Sequence, residues 1–284
     1  VNPWLQPEPH DWWPVVEDAL FEDVGSGDVT SSLFDPFASV SFYIEAQADG
    51  VVCGVGIAHA ILGASAEDPP EWFSEPLVND GDTIRRGDRI VQGVLSTRRV
   101  LTGERTALNF LMFLSGVSTL TRQYVERIDG TKARLVDTRK TLPGLRTLQK
   151  YAVRCGGGFN HRMGLYDGVM IKDNHIRAAG SITAAVRRMR DIASHLSRIE
   201  VECESLDQVE EAVKAGAEVV LLDNMDPFMM REAVKRFGGR TVFEASGGIS
   251  LETVRGVAQT GVDYISVGAL THSAVALPFH LELE

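Results

Sequence analysis

The chain reads as an α/β protein in two parts: a mixed helix and antiparallel-strand unit first, then a βα barrel. Three observations lead there. From residue 133 onward, the short apolar runs ARLV, GVMI, RIEV, AEVVLL, TVFE and DYISV recur, each followed by polar residues and a helical pattern. That is the pattern of parallel strands joined by helical crossovers. No G-x-G-x-x-G follows the first run, so a dinucleotide-binding open sheet has no support. Polar groups also stand where the runs end: Asp137-Thr138-Arg139-Lys140, Lys172-Asp173-Asn174-His175, Glu202, Asp223-Asn224, Ser246-Gly247-Gly248 and Gly268. In a βα barrel those ends share the face on which chemistry is placed. Six runs fall short of eight, so the barrel is incomplete or two strands escape the pattern.

Taken in order, PVVEDALFEDVG sets Val15, Val16, Ala19 and Leu20 on one helix face and stops at Gly25. VSFYIEAQADGVVCGVGIAHAILG reads as strands, with IAHAILG turning helical, and DPPEW breaks the pattern. VNDGDTIRRGDRIVQGVLS places Asp80-Gly81 and Gly87-Asp88 turns between short β-type runs, which predicts a compact antiparallel unit. Its shape resembles lipoyl- or biotinyl-carrier domains, but neither turn presents a lysine between hydrophobic neighbours, which excludes a carrier role. RRVLTGERTALNFLMFLSGVSTLTRQYVERI is helical, with a break expected near Gly116. Its apolar stripe runs through Leu101, Leu108, Leu111, Met112, Val117 and Leu120, and Arg105 lies off it. In the barrel part, Ser205 with Gln208 forms a capping-box signature and Asp226 precedes Pro227 at a first turn. Gly156, Gly216, Gly238 and Gly261 supply stops or turns.

Charge is unevenly spread. The chain has 28 Lys and Arg against 39 Asp and Glu, a net charge of -11. The stretch from Lys132 to Lys172 runs the other way, with nine basic residues and two carboxylates, Asp137 and Asp167. Removing its +7 leaves -18 on the remainder (-11 - 7). Nucleic acid wants a basic face over a whole domain, and anionic membranes repel an acidic protein. A local cationic island fits a small, multiply anionic ligand. No run approaches the ~18 apolar residues of a bilayer span, and VNPWLQPEPHDWW lacks the charge and apolar pattern of a signal peptide. Cys53, Cys155 and Cys203 are odd in number and have no C-x-x-C pair. They predict reduced thiols in a cytoplasmic setting rather than a disulfide framework or a zinc site.

The site candidates follow from residue type. Arg139, Lys140, His161, Arg162 and Lys172 are the anion readers, arginine as a planar fork and lysine as a point charge. His161 follows three glycines and stands between Asn160 and Arg162, which favours a site loop over a core histidine. Arg146, Lys150 and Arg154 recur every four residues, the spacing of a solvated helix face, and are set aside. EASGGIS and SVGALTHS end the last two runs with glycine-rich turns suited to phosphate, with Ser246 and Thr271 as hydroxyl donors. Glu202 and Asp223 end adjacent runs and can hold Mg²⁺ beside a phosphate. Glu200 and Glu204 share the pleat face of Glu202, so spacing alone does not choose among the three.

These residues resemble a known family. DTRKTLPGLRTLQKYAVRCGGGFNHRMGLYDGVMIKDNHI is similar to the signature block of the quinolinate phosphoribosyltransferases. The resemblance continues through EDVGSGDVTS, TGERTALNFLMFLSGVST, IEVECES, LLDNM, EASGGIS and DYISVGALTHS, leaving out the first few residues and the DPPEW loop. It implies an N-terminal α/β sandwich over residues 1–115 and an incomplete, seven-stranded barrel over 116–270, with the tail 270–284 able to pack back on the first domain. It implies quinolinate and 5-phosphoribosyl 1-pyrophosphate as substrates, Mg²⁺ as cofactor, and a homodimer or higher oligomer. By match to the motifs, Arg139, His161, Arg162 and Lys172 would bind the two quinolinate carboxylates, with Thr138 also substrate-binding, Lys140 between the two substrates and Arg105 reaching in from the neighbouring subunit. Glu202 and Asp223 would serve Mg²⁺ and the ribose; Lys140, Lys172, Glu202 and Asp223 are the catalytic candidates. Ser246, Gly247, Gly248 and Gly268 would hold the 5′-phosphate, with Val267 and Ala269 among the substrate-binding residues. A relative acting on nicotinate, a molybdenum-transport-associated relative, a phosphate-binding barrel lyase and a non-enzymatic anion sensor stand as alternatives.

Overall fold

The structure is a computed structural model that describes residues 7–63 and 68–284. The first six residues of the VNPWLQPEPHDWW stretch lie outside the described residues. Along the chain the elements run α1 (Pro9–Val24), β1 (Ser39–Ala46), β2 (Gly50–Val51), α2 (Val55–Leu62), β3 (Phe73–Pro76), β4 (Thr83–Ile84), β5 (Arg89–Ser96) and α3 (Thr97–Arg127). There follow β6 (Arg134–Val136), α4 (Arg146–Cys155), β7 (Val169–Ile171), α5 (Asp173–Ala179), α6 (Ile182–Ile192), β8 (Ile199–Cys203) and α7 (Leu206–Lys214). The chain closes with β9 (Val219–Asp223), α8 (Pro227–Phe237), β10 (Val242–Ser246), α9 (Val254–Ala258), β11 (Tyr264–Ser266), α10 (Ala269–His272) and β12 (Phe279–Leu283). They fall into two compact units, residues 1–122 with 141–157 and 270–284, and residues 123–140 with 158–269.

The first unit carries an antiparallel sheet of order β12-β1-β5-β3. Alternate residues of β1, Phe42, Ile44 and Ala46, turn into a core with Ile90 and Leu95 of β5, Leu62 of α2 and Leu108 and Leu111 of α3. The tail supplies β12, which pairs with β1 from Phe42↔Leu283 to Ala46↔Phe279. Both Asp/Gly turns form. Arg85 and Asn79 donate backbone N–H to Asp88 and Asp82, 2.8 Å each. The single antiparallel unit expected there is not what they build: β4 pairs with β2 in a separate ribbon, and β5 enters the larger sheet. Turn chemistry fixes where a chain reverses, not which strand it then meets.

Two helices also depart from expectation. α3 runs unbroken through Gly116. A Cβ at that position would lie 2.3 Å from the Val275 carbonyl oxygen, so the glycine permits a close crossing by the tail rather than ending the helix. α4 belongs to the first unit and is buried on nearly every side. Lys150, read from its spacing as solvated, is 1% exposed. The four-residue period marks one face but cannot say what covers it. Two other buried polar side chains of α4 find partners: Tyr151 Oη donates to Asp80 (3.0 Å), Leu142 N donates to Gln149 Oε1 (2.7 Å), and Gln149 Nε2 donates to the Thr271 carbonyl. On α1, Val16 alone is fully buried, and Val15, Ala19 and Leu20 are half-buried beside it.

In the second unit all six apolar runs form strands of one parallel sheet, ordered β6-β11-β10-β9-β8-β7. β6 and β7 are its two ends. Phe159 adds a one-residue parallel bridge to Val136, a rudimentary seventh position beside β6. This is the mixed α/β architecture expected, with an incomplete barrel. The helix starts are built as the sequence indicates. Asp226 accepts hydrogen bonds from Phe228 N and Met229 N, 2.8 Å each, with Pro227 following. Ser205 accepts from Gln208 N (3.3 Å), and Gln208 Oε1 accepts from Glu204 N (2.7 Å).

Two substitutions test this packing. Gly116→Ala forces the tail from α3 and costs ~1–3 kcal/mol, read as a drop of several degrees in thermal midpoint. Asp226→Ala leaves two helix N–H groups without their acceptor and costs ~1 kcal/mol. A midpoint unchanged by either would refute the corresponding contact.

Candidate functional site

At the carboxyl ends of the parallel strands lies a cavity of about 410 Å³. Its lining includes Thr138, Arg139 and Lys140 after β6, His161 and Arg162 from the loop preceding β7, and Met170 and Lys172 on or just after β7. It continues through Glu202, Leu221, Asp223 and Asn224, then Glu244, Ser246, Gly247, Gly248 and Ser266. Most of the charged residues singled out from the sequence therefore meet in one place.

The loop with His161 and Arg162 is fixed by Asp137, which is wholly buried at the end of β6. Asn160 Nδ2 donates to one carboxylate oxygen (2.6 Å) and His161 N to the other (2.9 Å). Phe159 N donates to the Leu135 carbonyl (2.8 Å) and Asp137 N to the Phe159 carbonyl (3.2 Å). Arg162 is braced from below, donating to the Gly168 carbonyl (3.0 Å). Its guanidinium is made less basic by burial and then by the like charge of Arg139. Two arginines held close together form a site that an anion would stabilise. Lys172, at the start of α5, forms an ion pair with Glu202 across adjacent strand ends.

The acidic side comes from the middle of the sheet. By alternation Glu200 and Glu202 of β8 point the same way, and the structure separates their roles. Glu202 lines the cavity. Glu200 lies deeper, 7% exposed, with Oε2 3.2 Å from His161 Nε2. Glu204 is exposed beyond the strand. Asp223 pairs in register with Ser246 and accepts from Asn224 Nδ2 (2.8 Å). Gly247 has φ 96°, and a Cβ there would meet Asn224 Oδ1 at 2.2 Å, so the turn after β10 needs glycine for both conformation and space.

Glu202 and Asp223, carboxylates on adjacent strand ends facing a polar cavity, suit Mg²⁺, which prefers a few hard oxygen ligands and keeps waters. A different cluster, His161, Glu200 and Glu244, brings three ligand-type atoms within 4.8 Å of one another. It is buried, includes an imidazole, and is a poorer match for Mg²⁺. Sequence reasoning missed Glu244, which sits one pleat below Ser246 on β10 and is 5% exposed. A single acid inside the apolar run TVFEAS was the available signal. Its carboxyl is pushed up to about 7 by burial and then by the Glu200 charge, offset in part by His161 and Ser266. His161 is held at both ring nitrogens: Arg162 N donates to Nδ1 (2.7 Å), which leaves Nε2 the hydrogen-bearing atom facing Glu200 and Glu244.

Other expected residues lie elsewhere. Arg105 is exposed on α3 in the first unit and does not line this cavity. Val267, Gly268 and Ala269 follow β11 at the same strand ends but do not line it either; Ser266 does. Val267 N donates to the Val136 carbonyl (3.1 Å). Thr271, expected as a phosphate donor, is 1% exposed and belongs to the first unit.

The chain matches two family models, described as the quinolinate phosphoribosyl transferase N-terminal domain over residues 28–115 and the C-terminal domain over residues 117–282. It is 42% identical over 264 residues to a probable nicotinate-nucleotide pyrophosphorylase (carboxylating) of Bacillus subtilis, covering 93% of this chain and 90% of that one. It is 41% identical over 279 residues to the nicotinate-nucleotide pyrophosphorylase (carboxylating) of Mycobacterium leprae, covering 94% and 95%. The solved structure of the nicotinate-nucleotide pyrophosphorylase from Francisella tularensis superposes with a TM-score of 0.90 at 35% identity, covering 98% of both chains. A human nicotinic acid phosphoribosyltransferase structure, TM-score 0.57 at 13% identity over 86% of this chain and 70% of that one, shares the fold alone.

A titration follows from Glu244. Its folded pKa lies above the ordinary value of 4.5, so its contribution to stability is full below that value and lost as pH rises toward 7. Between pH 4.5 and 7 the thermal midpoint of the unaltered protein should therefore fall relative to Glu244→Gln, and the gap should level off above 7. Parallel midpoint curves across this window would count against a perturbed Glu244.

Proposed function

This chain belongs to the quinolinate phosphoribosyltransferase family, and we propose that the cavity just described is where its reaction takes place. The activity is the transfer of phosphoribosyl from 5-phosphoribosyl 1-pyrophosphate to the ring nitrogen of quinolinate, with decarboxylation, giving nicotinate mononucleotide, pyrophosphate and CO₂. The observation that carries the site assignment is the Arg139–Arg162 pair: Arg162, partly buried, has the like charge of Arg139 beside it, and both line the cavity. A dianionic pyridine dicarboxylate relieves that repulsion, with Lys172 as a third cation and Thr138 and His161 on the same wall.

The rest of the lining divides the work. Ser246, Gly247 and Gly248 form the turn for the 5′-phosphate, with the backbone of Val267, Gly268 and Ala269 completing the cradle on this reading. Lys140, exposed at the rim, suits the charge between the two substrates. Glu202 and Asp223 would hold the ribose hydroxyls and Mg²⁺. Bound there, Mg²⁺ would take up charge on the leaving pyrophosphate. The chain's own residues fix the ring nitrogen against the sugar carbon and exclude water. We assign Arg105 to the pocket of a second copy in a homodimer, a reading supported by its exposure off the apolar stripe of α3. Among the described residues no helix is long and apolar enough to cross a membrane. Three buried free cysteines favour a reducing cytoplasm.

The deciding assay supplies quinolinate, phosphoribosyl pyrophosphate and Mg²⁺ and follows nicotinate mononucleotide and CO₂, with nicotinate as control acceptor. Product from nicotinate alone would overturn the acceptor assignment. Arg139→Ala and Arg162→Ala should each weaken quinolinate binding by tenfold or more, about 1.5–3 kcal/mol, with the fold intact; unchanged steady-state constants would remove them from the site. Mixing inactive Arg105→Ala and Lys172→Ala subunits should restore part of the activity, and verified mixed dimers without recovery would refute sharing between chains.

A further inference from the structure

Glu244 has no part in the scheme above, yet it lines the cavity from one pleat below the strand ends. Its Oε1 lies 3.6 Å from His161 Nε2, is shielded from solvent and has no hydrogen-bond partner in the structure. Two buried carboxylates, Glu200 and Glu244, meet one imidazole there, whose Nδ1 is already an acceptor. An ionised acid in that position would be compensated only in part, by His161 and Ser266, and would face an incoming dianion.

Decarboxylation creates a need that this arrangement meets. When CO₂ leaves the alkylated ring, the electron pair of the broken C–C bond stays on C2. Unless C2 gains a proton, CO₂ can recombine with it. The remaining lining groups are poorly suited to supply one. Arg139 and Arg162 are too weakly acidic, Lys140 stands at the exposed rim between the two substrates on this reading, and Lys172 is paired with Glu202. His161 accepts at Nδ1 and turns its one ring N–H to Glu200 and Glu244, and Glu202 and Asp223 are the ribose and metal carboxylates on this reading. Thr138, Ser246 and Ser266 are hydroxyls.

We propose that Glu244 is the general acid of the decarboxylation step, holding the proton that C2 accepts as CO₂ departs. The C2–H bond forms as the Glu244 O–H bond breaks, and its electron pair returns to the carboxylate. The Nε2–H of His161 steadies the anion formed, and solvent restores the proton after product leaves. The groups facing Glu244 are Glu200 on β8, His161 on the loop before β7, Asp137 at the end of β6 and Ser266 on β11. Burial and the charges of Glu200 and Asp137, offset in part by His161 and Ser266, keep its proton available near neutral pH, where a general acid is most useful.

The inference rests on the quinolinate reading, and one experiment separates the two. Pyrophosphate and CO₂ are timed independently in a single turnover, with mass analysis for the undecarboxylated mononucleotide. An unaltered protein that releases neither from quinolinate overturns the quinolinate reading itself. Given activity, Glu244→Gln should release pyrophosphate within about threefold of the unaltered rate while CO₂ slows by about thirtyfold or more, with the dicarboxylated nucleotide accumulating. Glu244→Asp, which keeps an acid, should recover part of the lost CO₂ rate. In the unaltered protein, CO₂ release should fall relative to pyrophosphate release as pH rises through about 7. CO₂ and pyrophosphate appearing in step in the variants, whether both fast or both slow, would overturn the role. An unchanged ratio across pH would overturn it without recourse to any variant.

Discussion

The site depends on one buried carboxylate. Asp137 ends a strand of three residues, too short to carry a loop far by itself, and accepts hydrogen bonds from a side chain and a backbone N–H more than twenty residues away. Burying an ionised acid is costly unless it is satisfied, so the bonds from Asn160 and His161 tie the conformation of that loop to the integrity of the β6 end. His161 and Arg162 hold their positions because Asp137 needs its donors. The bridge from Val136 to Phe159 extends the same tie into the sheet.

This tie matters because of where it falls. β6 and β7 are the ends of the parallel sheet, and a closed barrel would pair them. Here the gap beside β6 receives the Phe159 segment, and the cations gather around it: Arg139 and Lys140 from β6, Arg162 from the loop, Lys172 from β7. The carboxylates come from β8, β9 and β10, in the fully paired middle of the sheet. The cavity is thus divided by charge, a basic wall at the seam and an acidic one along the continuous strands. Lys172 and Glu202 meet where the two walls join.

Much of this was legible in the sequence, for identifiable reasons. The six barrel strands are short apolar runs buried on both faces, and such runs stand out. Arg139, Lys172, Glu202 and Asp223 stand at or just past the ends of those runs, so strand ends and site residues came together. The less legible features depend on what a residue meets in space. Lys150 repeats with Arg146 and Arg154 at a helical period, and that period is identical for a solvated face and an enclosed one. Gly116 looks like a helix breaker until the Val275 carbonyl beside it is seen. The turns around Asp80 and Asp88 were plain, whereas the partners of β4 and β5 were not. Glu244 is a single acid within an apolar run, and its significance appears only once Glu200 and His161 are beside it.

The division of the cavity also bears on how such a protein changes over time. The basic wall is drawn from one uninterrupted stretch, residues 137–172, whereas the glycine turn and the Mg²⁺ candidates come from residues 202–248. Within that second stretch Asn224, at φ 53°, meets Gly247 from the neighbouring strand end, so its parts constrain one another and tolerate little alteration. In the first stretch the loop with His161 and Arg162 is bound to the sheet through Asp137 and Phe159, and β7 through its pairing with β8. On the proposed site assignment, changes in that loop, with those two anchors kept, would recast the recognition of the ring while leaving the sugar-phosphate grip intact. On that assignment, acceptor choice and donor choice are therefore separable in this architecture, and new acceptors can be sampled without rebuilding the barrel.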